Sequence, residues 1–215
     1  PSSRSLNLGA ALAEAGLRWQ LGTGSIGVSP SLLLLSVANR PFRAADSIRF
    51  DWSEVDADGG MRALRVESGR YRHAAEYLDL DADVRSISGN RRWRFPAAAI
   101  ESLEIAAGMR DEHNRRGLPD LSNRGAHASV ELGWKLVGAD WTANALWQVS
   151  RFRAPGPDGL GVRRDRFLSL DVTAEWPLSQ RLALRTSLAT SDNRSQPAIY
   201  NNRRHAVDIA LVARW

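Results

Sequence analysis

Hydrophobic and polar residues alternate along the second half of the chain. From His205 to Trp215, apolar side chains occupy every second position, and the segment ends on an aromatic residue. Successive side chains of a β-strand point to opposite faces, so this pattern predicts a strand with one apolar and one more polar face. The same alternation occurs in four preceding segments, 126–136, 141–150, 168–176 and 181–188. These five consecutive segments predict a series of antiparallel strands.

The first half of the chain shows a less regular version of this pattern. Ile48, Phe50 and Trp52 alternate with polar residues, and so do the apolar residues of segment 103–109. A further alternating segment, 78–85, predicts a strand whose polar face carries three aspartates and an arginine. In all we expect about eleven strands, within a range of roughly 10 to 14.

The connections between these segments are of two kinds. Short turns are predicted at 22–24, 56–60, 88–90, 138–140 and 177–180, and longer polar loops at 38–45, 69–76, 111–124, 153–164 and 191–204. Alternating tight turns and long loops are typical of bacterial outer-membrane barrels. The sequence therefore predicts one all-β domain over 1–215, an antiparallel transmembrane β-barrel of the bacterial outer membrane.

The strand count raises a question of orientation. If the terminal strand ends in the periplasm, an odd number of strands makes the first one begin outside, whereas single-chain bacterial barrels have an even number. Two explanations stay open at this stage. Two strands are merged near 13–16, or a further strand lies upstream of Pro1, which is the explanation we favour.

The amino-acid composition excludes several structural and functional classes. The chain contains no cysteine, which excludes disulfides, thiolate metal sites and a cysteine nucleophile. No apolar run approaches the roughly 20 residues of a membrane helix, whereas the strands of a membrane barrel need only alternate. The net charge is +5, but the arginines fall at loop and strand ends and form no single stripe, so we do not expect a nucleic-acid partner. We expect no cofactor and no metal.

The polar faces of the predicted strands supply candidate residues for the lining of a lumen. These are Asp79, Asp81, Asp83, Arg85, Glu131, Lys135, Asp171, Glu175, Arg181, Arg185, Asp208 and Arg214. The first three form an acidic ladder that could bind a hard cation or pair with lumen arginines such as Arg49, Arg181, Arg185 and Arg214. We favour the pairing, which predicts a narrow polar lumen.

Three tryptophans are candidates for an aromatic girdle at the membrane interface. Trp141 and Trp176 flank short turns, and Trp215 ends the chain. The alternative is that these tryptophans belong to the core of a soluble β-sandwich, for which they are equally suitable.

One strand also carries a possible catalytic combination. His127, Ser129 and Glu131 share the polar face of the predicted strand 126–136. Neighbours on one strand face lie about 7 Å apart, which strains direct hydrogen bonding, and the chain has no Gly-x-Ser-x-Gly motif. We therefore assign no catalytic residues and expect no enzyme, and a barrel lipid hydrolase remains a minor alternative.

The C-terminal part resembles a known family. The segment 164–215 combines an arginine-rich strand start, a short turn at Pro177, and a final loop carrying Asn193, Ser195, Tyr200, Arg203 and Arg204 before a terminal aromatic. It is similar to the C-terminal barrel of the surface lipoprotein assembly modifier family. The resemblance implies a fourteen-stranded barrel, typically preceded by periplasmic tetratricopeptide repeats, that guides a lipoprotein client to the cell surface.

The sequence thus predicts a barrel in contact with outer-membrane lipid that acts as a conduit, with a lipoprotein as the possible client. A passive porin or a polysaccharide-export barrel is the alternative from the same architecture. A lipid-modifying barrel enzyme and a soluble β-sandwich binding module are the alternatives from other classes.

Overall fold

A computed structural model describes residues 8–95, 99–156, 159 and 161–213. In these ranges it contains twelve β-strands and two short 3₁₀ helices, Ala75–Leu80 and Ala198–Tyr200. The strands are β1 Leu8–Glu14, β2 Leu17–Leu21, β3 Gly24–Val37, β4 Arg40–Val55, β5 Met61–His73, β6 Ala82–Arg94, β7 Ile100–Asn114, β8 Asn123–Leu136, β9 Ala139–Pro155, β10 Val162–Pro177, β11 Leu182–Gln196 and β12 Asn202–Ala213. Neither helix of the described ranges is long and apolar enough to cross a membrane.

The strands form one antiparallel sheet in which neighbours in sequence are neighbours in space. The order across the sheet is β1-β3-β4-β5-β6-β7-β8-β9-β10-β11-β12, and β2 also pairs with β3. This meander confirms the predicted all-β, barrel-like class and the predicted range of strand numbers. Pro1, Pro96, Arg214 and Trp215 lie outside the described residues.

The edge of the sheet beside β3 is formed by β1 and β2, which are separated by Ala15 and Gly16. β1 and β2 both run antiparallel to β3, so they continue one another and do not form a hairpin. The hypothesis that two sheet-crossing strands are merged near 13–16 is therefore wrong. The Ala15 N–H donates to the Pro30 carbonyl oxygen at 3.2 Å. Pro30 has no N–H to return on this same side, which explains why the ladder breaks opposite it.

The two faces of the sheet differ in polarity. Directly paired residues share a face, and one such row runs through Ile105, Val130, Ala145 and Leu170 on four consecutive strands. Although these strands are interior to the sheet, the side chains of Ile105, Val130 and Leu170 remain 39–45% exposed. No described part of the chain covers this apolar face, and so large an exposed apolar surface is unusual in a soluble monomer.

The polar face is concave. A cavity of about 360 Å³ is lined by side chains from six strands, β2 and β4 to β8, and among them are Arg18, Asp51, Arg65, Glu104 and His127. Side chains from strands this far apart can line one cavity only if the sheet curves towards them. We call this side the concave face and the opposite, apolar side the convex face.

Several connections differ from those that the sequence predicts. Instead of a loop over 38–45, β3 and β4 are joined by Ala38 and Asn39, both with positive φ as a type I′ turn requires. The predicted turn at 88–90 is wrong, because Ser88, Gly89 and Asn90 lie inside β6, paired on both sides. Pairing with β5 and β7 outweighs their local preference for turns.

Three of the long connections are shorter than predicted, because their flanking strands extend further, and the loop predicted at 69–76 lies five residues later at the same length. They cover 74–81, 115–122, 156–161 and 197–201, all at one end of the sheet, which we call the loop end. The opposite, turn end carries the connections 22–23, 56–60, 95–99, 137–138 and 178–181. Apart from the Ala38–Asn39 turn, the connections at the loop end are 5–8 residues long and those at the turn end 2–5, so the difference in length has the predicted sign but is smaller than predicted.

The turn between β8 and β9 gives a prediction about stability. Val137 adopts φ 51° and precedes Gly138 at φ 72°. A β-branched residue with positive φ is strained, whereas asparagine adopts this conformation readily in type I′ turns. Because Val137 is 85% exposed, its side chain contributes little packing. We expect Val137→Asn to raise the free energy of unfolding by about 1 kcal/mol, measured by denaturant titration. A decrease would show that the Val137 side chain has a stabilising contact.

Candidate functional site

The concave face carries clusters of paired charges that link neighbouring strands. In the first, Arg49 on β4 donates to Asp51 Oδ2 through Nε at 2.8 Å and also contacts Glu14 on β1. Arg65 on β5 donates to Asp51 Oδ1 at 2.8 Å. Asp51 thus accepts from two guanidinium groups. Together with the Arg49–Glu14 contact, these charge-assisted hydrogen bonds link β1, β4 and β5.

A second cluster lies on the three strands that follow. The two carboxylate oxygens of Glu104 on β7 accept from Asn90 Nδ2 at 2.7 Å and from Arg92 Nε at 2.6 Å, both on β6. Arg92 also lies 3.9 Å from Glu131 Oε1 on β8. Glu104 is thus the acceptor at the centre of this cluster.

Similar contacts continue along the concave face. Arg110 donates to Glu112 and to the Tyr71 hydroxyl, at 2.9 and 2.8 Å. Arg185 on β11 donates to Glu175 on β10 at 2.8 Å through Nε. Charges of both signs therefore alternate along this face and largely compensate one another.

Six of the predicted lining residues lie on the concave face. Glu131, Asp171, Glu175, Arg185 and Asp208 are in register with other residues of this face. Lys135 is at its turn end, where Nζ lies 3.1 Å from Glu101 and 3.8 Å from Asp140.

The predicted acidic ladder is wrong. Asp79 is in the first 3₁₀ helix and Asp81 follows it, so neither belongs to a strand. Asp83 is on β6 but on the convex face, opposite Arg70 and His113, and Arg85 shares that face. The predicted phase of the alternation is also wrong, because Ala82 faces the concave side and is 1% exposed.

The predicted partners of the ladder are also wrong. Asp79 lies 3.3 Å from Arg116, Asp81 accepts from the His73 backbone N–H at 2.7 Å, and Asp83 lies 3.7 Å from Arg70. Arg49 and Arg185 bind other acids, as described above, and Arg181 lies in the turn before β11. Within the described ranges, no group of three or more potential ligands is placed to hold a metal ion.

The three residues considered for catalysis, His127, Ser129 and Glu131, all lie on the concave face of β8. The His127 ring covers Gly108 so closely that a Cβ added to this glycine would lie 2.5 Å from His127 Cε1. Among the described residues, His127 and Ser129 form no side-chain hydrogen bond with each other or with Glu131. The arrangement does not assemble the hydrogen-bonded base and nucleophile that acyl transfer requires.

Aromatic residues gather at the turn end of the convex face. The rings of Trp134 and Trp141 stack at 6.0 Å between centroids, and Trp141 meets Trp176 edge-on at 5.8 Å. Trp141 Nε1 donates to the Leu136 carbonyl oxygen at 3.1 Å. The three tryptophan rings thus form one continuous aromatic group beside the short turns.

A set of arginines at the loop end of the convex face is not predicted from the sequence. Arg124, Arg151 and Arg164 lie opposite one another on β8, β9 and β10, and Arg166 lies opposite Arg194 on β11. The prediction that the arginines form no stripe is therefore wrong. The sequence does show the face of these arginines, because most of them directly precede or follow the apolar residues of their strand in the same alternation.

Comparison with known proteins adds no family assignment. No protein-family model matches the sequence, and no curated protein matches it.

Proposed function

We propose that this chain forms the wall of an outer-membrane β-barrel that acts as a conduit, with its convex face towards lipid and its concave face towards water. The observation that carries the proposal is the contrast between the two faces. Apolar side chains remain exposed on the convex side, while the concave side carries ion clusters. This is the distribution that a membrane barrel with a polar interior requires.

The ion clusters also fit the passage of a polymer. Their charges are paired across strands, so the lining stays hydrated without presenting a strong field of one sign. A hydrated lining of paired positive and negative charges offers a passing polypeptide no apolar surface to which it could bind. The resemblance of segment 164–215 to the surface lipoprotein assembly modifier barrel suggests a lipoprotein as the client.

Co-expression with lipoproteins tests this function. The chain is produced in a Gram-negative host together with epitope-tagged lipoproteins, and surface exposure is measured by protease treatment of intact cells. We expect surface-exposed lipoprotein only when the chain is present in the outer-membrane fraction. An unrelated barrel at equal abundance is the control. If the lipoprotein stays periplasmic although the chain is in the membrane, the export function is wrong.

A passive pore is the second candidate, favoured by the size of the spaces on the concave face. Besides the cavity of about 360 Å³, a second of about 500 Å³ is lined by polar residues including Glu67, Arg110, Glu112 and Gln148. Spaces of this size suit small solutes. Steady ion conductance in planar bilayers, without lipoprotein export, would support the pore over the export conduit.

A further inference from the structure

Five exposed arginines form a band at the loop end of the convex face, on β8 to β11. We call Arg124, Arg151, Arg164, Arg166 and Arg194 the arginine belt. The register places Arg124, Arg151 and Arg164 in one row across three strands. Arg166 and Arg194 lie directly opposite each other in a second row.

These rows oppose like charges at close range. Directly opposite residues of an antiparallel pair have Cβ atoms about 4.5–5.5 Å apart, and like charges in such pairs destabilise a sheet. Arg151 has an arginine on both sides, Arg124 and Arg164. A bound anion between the guanidinium groups would relieve this repulsion.

Among the described residues, acidic side chains of the same face pair with the two outer members of the belt, Arg124 and Arg194. Asp111 accepts from Arg124 and Arg153, at 2.9 and 2.6 Å, and Asp192 lies 3.2 Å from both Arg194 and Arg203.

Among the described residues, the centre of the belt has no such partner. Arg151, Arg164 and Arg166 form no ion pair with any residue in the described ranges. The centre therefore carries three positive charges without an acidic counterpart in the part of the chain that the structure describes.

The belt directly borders the apolar surface. On β10 the convex positions from Trp176 to Leu168 are mostly apolar, and Arg166 is the next convex position, about 7 Å further along the strand. On β9, Val149 is followed in the same way by Arg151. If the apolar surface lies in the hydrocarbon layer, the belt lies at the depth of the lipid headgroups.

The geometry points to the arginine belt as a binding surface for the phosphate groups of anionic lipid headgroups, in the leaflet at the loop end. This inference rests on the proposed insertion of the convex face into a membrane. Guanidinium groups bind phosphate oxygens through two parallel hydrogen bonds, which suits adjacent arginines facing a layer of phosphates. Continuity with the apolar surface favours a lipid over a nucleic acid, whose backbone would have to lie along an apolar border.

Lipid binding by charge-matched variants tests the inference. The full chain is purified in a neutral detergent, and bound phosphatidylglycerol is measured by native mass spectrometry against phosphatidylcholine with the same acyl chains. The variant R151Q/R164Q/R166Q removes the centre of the belt. Each arginine near an anionic surface contributes about fivefold in affinity, so we expect the triple variant to lose roughly 100-fold in preference for phosphatidylglycerol.

The matched control removes the same charge elsewhere. Arg40, Arg94 and Arg181 are exposed and lie outside the belt, and we expect R40Q/R94Q/R181Q to keep the preference within about twofold. Equal losses in both variants, or none in either, would overturn the inference. So would displacement of the lipid by millimolar inorganic phosphate alone, which would indicate a site for free anions, or tight binding of a single-stranded oligonucleotide in its place.

Insertion into phosphatidylcholine vesicles, measured by flotation, separates this inference from the proposed function. If the wild-type chain inserts but shows no preference for the anionic lipid, the belt inference alone is wrong. If the chain does not insert, both the membrane proposal and the lipid inference are wrong.

Discussion

Replacing Leu170 with arginine is expected to lower the free energy of unfolding in a lipid bilayer by about 2–4 kcal/mol, the cost of arginine on the lipid face near the bilayer centre. Leu170 is 45% exposed in the middle of the convex part of β10, between Arg166 and Trp176. The proposed orientation places its side chain in hydrocarbon. Denaturant titration of the chain in phosphatidylcholine vesicles measures the change.

The matched control lies three residues away on the opposite face. Thr173 pairs with Thr142 on β9 and Ser187 on β11, so an arginine there meets polar neighbours on the concave side. We expect Thr173→Arg to change the unfolding free energy by less than about 1 kcal/mol. A larger cost for Thr173→Arg than for Leu170→Arg would reverse the assignment of the two faces.

Removing the Glu104 carboxylate is expected to cause the second-largest decrease in the free energy of unfolding. Glu104→Ala leaves Arg92 and Asn90 without their shared acceptor at the centre of the second cluster. Hydrogen bonds to charged groups contribute about 1.5–3 kcal/mol, and partial exposure of both partners reduces the loss, so we expect roughly 1–2 kcal/mol. The same vesicle titration measures it.

Glu101 supplies the control for this prediction. Its partner Lys135 is at the turn end, and the side chains are 45% and 66% exposed. Exposed pairs of this kind contribute little to stability, so Glu101→Ala should leave the unfolding midpoint unchanged within error. Equal midpoints for both variants would show that the second cluster does not stabilise the sheet.

The fold follows the prediction most closely where one face of a strand carries a long series of apolar residues. β8 to β12 follow the predicted alternation, because a shift by one residue would exchange the apolar and polar faces. Glu131, Glu175 and Arg185 lie on the polar face for this reason.

Errors occur where local pattern and tertiary pairing disagree. Segment 78–85 alternates like a strand, yet its first part is a 3₁₀ helix, and the phase of the rest is set by pairing with β5 and β7. Ser88 and Gly89 favour turns locally but pair on both sides within β6.

The arginine belt could not be predicted from spacing alone. Its five members come from four strands, and their proximity depends on the register between those strands. Register depends on turn geometry and on the hydrophobic patterns of all the paired strands together, which the spacing of residues along one strand does not contain. The face of each arginine could be predicted, but not which arginines lie opposite one another.

The most direct test of the proposed orientation is a spin-label scan along β10. Because the chain has no cysteine, single cysteines at positions 168 to 173 can each carry one label in the full chain, reconstituted in phosphatidylcholine vesicles. We predict that labels at 168, 170 and 172 are accessible to lipid-soluble oxygen, and that labels at 169, 171 and 173 are accessible to a water-soluble nickel complex. Equal access of the nickel complex to all six positions would contradict the account.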